Sequence, residues 1–169
     1  MKMIKSKELR QYQPTVRYAD GRGINLAVVQ NALMEQAVKY QIPVQFYNDQ
    51  VKEGGLLNSD STDCIVMFHP EHRNDYIKYV ISIKRQGTMA FVAVDNYGIS
   101  KNIAKLSAGS SALSDLKTSV FSKDPNESAA ALGRALANGL KGLGGKKSKK
   151  EDEKMWYSAM SEIISNVIG

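Results

Sequence analysis

Cysteine is almost absent from this chain: Cys64 is the only one, so no disulfide can form within it. An unpaired thiol inside an apolar stretch suits a reducing compartment, and the expected location is cytoplasmic. Histidine is nearly as scarce, with only His69 and His72. Any site that needs imidazole must use one or both of them. Long apolar runs are missing as well. The longest clean run is Met89-Ala90-Phe91-Val92-Ala93-Val94, far below the ~18 residues of a membrane span. The N-terminal stretch MKMIKSKELRQYQPTVRY is basic but leads into no apolar core of a secretory signal, so none is expected.

Several catalytic signatures are also lacking. Gly139 and Gly144 have the separation of a phosphate loop, but Gly145 stands where that loop needs lysine, and no strand precedes it. Gly21 and Gly23 lack the third glycine of a dinucleotide fingerprint. No G-x-S-x-G elbow occurs. Cys64 starts an apolar strand directly after Asp63, whose charge opposes thiolate formation, so it reads as a structural thiol.

What is present is the composition of an ordinary soluble domain: 169 residues, 43% apolar and 24% charged. The net charge of +6 is not one basic face. Residues 1–60, 61–105 and 106–169 each carry an excess of two positive charges (8 against 6, 6 against 4, 9 against 7). The length suits one domain with an appendage.

Residues 1–23 show no periodicity and read as an irregular lead-in ending in a turn at Asp20-Gly21-Arg22-Gly23. Leu26, Val29, Leu33, Ala37 and Tyr40 then recur at helical spacing, which predicts an amphipathic helix over about 25–40, with Asn25 as N-cap and Pro43 beyond its end. Four strands follow, at 44–47, 64–68, 76–84 and 89–94. The continuous apolar run at 64–68 reads as a central strand covered on both faces. Strands three and four are joined through Arg85-Gln86-Gly87-Thr88, a hairpin signal. The polar connectors 52–63 and 69–75 are too short for crossover helices. The expected fold is therefore α+β, with an N-terminal amphipathic helix packed on a four-stranded antiparallel meander and a helical C-terminal extension. The α+β core spans 24–105, helical segments occupy 106–143, a Gly/Lys linker 144–150, and a C-terminal amphipathic helix 151–169.

Three functional readings arise. The leading one is a non-enzymatic protein-binding or adaptor module that needs no cofactor. Leu132, Leu136 and Leu140 form a ridge beside rows of small residues, and Trp156, Met160 and Ile163 lie on the stripe of the last helix. These residues are the expected contacts for a protein partner or for a second copy of the chain. That stripe is too apolar for water, so it docks on its own sheet, the preferred reading, or on another subunit. The second reading is nucleic-acid association through Lys141, Lys146, Lys147, Lys149 and Lys150. Against it, Glu151, Asp152 and Glu153 follow at once and no aromatic is interleaved. The third is a metal-dependent enzyme at the loop carrying His69, His72 and Asp75. It lacks the helical H-E-x-x-H arrangement, and a polar loop with His69 capping the strand is the preferred reading there.

Overall fold

The computed structural model describes residues 3–54, 60–71, 76–98 and 148–169. The chain is mixed α+β, and its described residues form a large, nearly barrel-like sheet of seven strands and two helices, one of them C-terminal. Helix α1, Leu26–Lys39, begins where Asn25 adopts an extended conformation and its Oδ1 accepts the Val28 amide at 2.9 Å. It ends in a left-handed Gln41, with Ile42 N–H donating to the Ala37 carbonyl (2.8 Å) and Gln41 N–H to that of Val38 (3.0 Å). That double closure satisfies carbonyls that the helix end would otherwise leave open, and it carries Ile42 into the core.

The meander runs through β4 (Gln45–Glu53), β5 (Asp60–Phe68), β6 (Lys78–Gln86) and β7 (Met89–Tyr97), each antiparallel to the next. The last hairpin closes with Gln86 opposite Met89, and Gly87 takes φ +61 at the first turn position, a conformation that costs glycine little. β4 is longer than the alternation at 44–47 suggests. Asp49 and Val51 continue its inward row past the polar Asn48, Gln50 and Lys52, so the connector shrinks to 54–59.

The expected four-stranded sheet behind an N-terminal helix is corrected by the lead-in. Residues 1–23 contribute β1 (Ile4–Lys5), β2 (Leu9–Gln11) and β3 (Val16–Tyr18), all before α1. β1 runs parallel to the end of β4, with Ile4 beside Val51, while β2 and β3 both line β7. Only the short 3₁₀ turn Ser6–Glu8 separates β1 from β2, so one bent segment touches both edge strands of the meander and curls the sheet toward closure. Strands of two or three residues are too short to show a period of two; the edges they pair with define them.

The curl creates two cores. Inside the sheet lie Ile4, Val51, Cys64, Val66 and Val80, flanked by Leu9 and Tyr97. Outside it, Ile65, Met67, Ile77, Tyr79, Ile81, Val92 and Val94 face α1 and the C-terminal helix α2 (Ser148–Ile168). β5 is thus buried on both faces, as its continuous apolar run implies. α2 contributes Trp156, Tyr157, Ala159, Met160, Ile163, Ile164 and Ile168 to the outer core. Polar bonds add to this packing. Trp156 Nε1–H donates to the Pro43 carbonyl (2.8 Å), Tyr79 Oη–H to that of Tyr157 (3.0 Å), and Tyr18 Oη–H to that of Ile168 (2.7 Å). Tyr12 and Ser161 share a hydrogen bond between their hydroxyls. Tyr79 stacks on Tyr157 with centroids 5.4 Å apart, and Tyr12 meets both rings edge-on.

Candidate binding surfaces

Trp156, Met160 and Ile163, three of the expected partner contacts, are buried in the chain's own outer core. They hold α2 against the sheet and α1 and present no surface there. Leu132, Leu136, Leu140, Lys141, Lys146 and Lys147 lie outside the described residues, as do His72 and Asp75. So do the side chains of Lys149 and Lys150, in the first turn of α2. His69 is buried: its Nδ1 accepts the Glu71 amide at 3.1 Å, and its ring meets Trp156 edge-on at 5.9 Å. Among the described residues, no three His, Cys, Asp or Glu side chains group closely enough to hold a metal ion. Nor, among them, is any helix long and apolar enough to cross a membrane.

The structure adds a cluster that sequence reasoning missed. In the β4–β5–β6 register, Tyr47 lies opposite Val66 and Gln45 opposite Phe68, which puts Tyr47 and Phe68 on the inner face at one mouth of the barrel. Their rings are 5.6 Å apart, and the Lys78 ammonium sits 5.8 Å from one centroid and 5.7 Å from the other. Tyr47 remains exposed. An aromatic pair with a cation beside it has the chemistry to pack against another polypeptide or a flat polar group. The missing signal was register. Tyr47 and Phe68 are 21 positions apart, and only the pairing of Gln45 with Phe68 makes them neighbours.

Behind the mouth the inner face is buried and holds one carboxylate, Asp49. Asp49, opposite Cys64, is buried and accepts the Gln50 amide at 2.8 Å. Burial, reinforced by the Asp49 charge, pushes the Cys64 thiol up to about 12, so it is neutral and unreactive near pH 7. Partial burial, on the inward side of a ring whose other side is exposed, pushes Tyr47 up to about 12, with Asp49, Tyr97 and Cys64 adding to it. Tyr97 is raised by burial and then by Glu8 and Asp49.

These groups fix a pH dependence. The fold holds the thiol and phenols protonated, whereas the unfolded chain releases those protons near their ordinary values of 9.0 and 10.0. The unfolded state therefore binds fewer protons in that range, and stability falls with rising pH. The expected urea midpoint is unaffected by these groups below pH 9 and drops steadily between pH 9 and about 12. Cys64→Ala should flatten the first part of that decline, and an unchanged slope in this variant would contradict the assignment.

Comparison with models of known families, with curated proteins and with solved structures finds no match for this chain. Its function must therefore be argued from its own geometry.

One further feature concerns the stretch between β7 and α2. Gly98, directly after β7, takes φ +114 and packs so closely that a Cβ there would lie 2.8 Å from the Tyr76 carbonyl oxygen. From the other side, the buried Glu153 of α2 accepts the Ile77 amide at 3.3 Å. Gly98 and Glu153 therefore both meet the Tyr76–Ile77 segment.

Proposed function

We propose that this chain is a non-enzymatic protein-binding or adaptor module of the cytoplasm, and that it engages its partner through the segment 99–147. The observation that carries this reading is the shared anchorage at Tyr76–Ile77: Gly98 on one side, Glu153 on the other. Connecting segments of this kind carry binding residues disproportionately often. Leu132, Leu136 and Leu140 are the contact ridge in this reading. The C-terminal stripe supports it as anchor, since Trp156, Met160 and Ile163 are consumed inside the chain. The buried, unpaired Cys64 is in keeping with a reducing compartment.

Replacing 99–147 with a Gly/Ser linker of about a dozen residues tests this. Loop closure entropy changes by about 0.6 kcal/mol per halving, so a fourfold shortening shifts stability by only ~1.2 kcal/mol, in the stabilising direction. The expected result is a thermal midpoint at or slightly above that of the full chain, with loss of the proteins that the full chain captures from lysate. Failure of the shortened chain to fold, or capture of the same proteins, would contradict the proposal. Lys141, Lys146 and Lys147 fall in the same segment. Loss of salt-sensitive heparin retention, in place of loss of protein capture, would move the assignment to a polyanion partner.

A further inference from the structure

The sheet has one edge of several residues with no strand beside it among the described residues. β7 is lined by β2 and β3, whereas on its outer side β4 is strand-paired only at Val51–Lys52, by β1, with the turn Ser6–Glu8 packed beside it. From Gln45 to Gln50 its outer backbone groups have no strand partner among the described residues. Proteins usually guard such an edge with lysine, proline or a bulge, because a row of free N–H and C=O groups is a template for another strand. This stretch reads Gln-Phe-Tyr-Asn-Asp-Gln, with no lysine, arginine or proline, and its one charge, Asp49, is buried. β1 already shows that the edge accepts a strand.

We infer that the free edge of β4 pairs antiparallel with the same edge of a second copy of this chain, joining two seven-stranded sheets across a two-fold axis at Tyr47. A two-fold perpendicular to a sheet keeps each side chain on its own face, so one residue must lie opposite its own counterpart. Centring on Tyr47 uses the whole stretch 44–50 and stops short of Val51, which β1 occupies. This register is self-complementary. Tyr47 faces Tyr47 of the second copy, an aromatic cross-strand pair built on a ring that is exposed in the single chain. Phe46 faces the neutral Asn48. Gln45 faces Asp49, so its amide donates to a carboxylate whose hydrogen bond in the single chain is with the Gln50 amide. No two like charges meet. The edge is short, so association is weak and depends on concentration. This inference is independent of the role of 99–147.

Sedimentation velocity of the full chain from about 1 μM to about 1 mM tests the association. The expected result is a shift from 18.6 kDa toward twice that mass. Tyr47→Lys places two ammonium groups face to face and should weaken association at least about tenfold. Tyr47→Cys should form an interchain disulfide under mild oxidation, because directly opposed strand residues lie within disulfide range. Met89→Cys, at the exposed turn of the last hairpin, should not. Cys64 is buried and stays silent in both. A chain that remains monomeric throughout overturns the inference. So does a dimer that crosslinks at position 89 and not at 47, and this readout does not depend on whether the lysine variant folds.

Discussion

Deleting residues 146–169 should abolish cooperative unfolding. The last helix supplies Trp156, Tyr157, Met160, Ile163, Ile164 and Ile168 to the outer core, all of them buried. Each such side chain gains roughly 1.5–3 kcal/mol from burial. Its removal also uncovers Ile65, Met67, Ile77, Tyr79 and Ile81 on the sheet, so one of the two layers that bury that face is lost. A domain of this size has only ~5–15 kcal/mol of net stability. Thermal and urea transitions followed by circular dichroism should broaden into a non-cooperative drift, with exposed apolar surface and a tendency to aggregate. A truncated chain with the melting temperature and solution mass of the full one would show that α2 is an accessory.

Trp156→Ala should be the most damaging single substitution in that helix, at ~3–5 kcal/mol. The indole lies between α2 and the sheet, 6.1 Å from the Tyr79 ring and 5.9 Å from His69. It also ties the helix to the connection between α1 and β4, through its hydrogen bond to the Pro43 carbonyl. Trp156→Phe separates the two roles. It keeps most of the apolar volume and deletes the hydrogen bond, so it should cost about 1–3 kcal/mol. The urea midpoints should fall in the order wild type, Phe, Ala. Equal loss in both variants would assign the effect to the hydrogen bond alone; no loss in either would contradict the packing described.

Side-chain periodicity made the local elements legible. The helix over 26–39 follows from Leu26, Val29, Leu33 and Ala37, its start from Asn25, and the last hairpin from Gly87. The two-sided burial of β5 follows from its unbroken apolar run. What was not legible was contact between distant segments. β1, β2 and β3 are too short to carry a pattern, and they are strands because β4 and β7 present edges to them. The parallel pairing of β1, and with it the curl of the sheet, cannot be inferred from a meander of hairpins. The same limit hid the mouth cluster: Tyr47, Phe68 and Lys78 belong to three strands, and register alone assembles them. The apolar stripe of α2 showed that it must be buried, but burial in the same chain rests on long-range bonds such as those from Tyr18 to Ile168 and Trp156 to Pro43.

The last helix, α2, is an integral part of one chain's core. Trp156 is the only tryptophan, so its fluorescence reports on this helix alone. The most direct measurement is its emission and acrylamide quenching on dilution of the full chain to nanomolar concentration. The account predicts a blue-shifted emission with weak quenching, unchanged on dilution, because the indole is 3% exposed within a single chain. An emission like that of free tryptophan, or a red shift that develops on dilution, would contradict it.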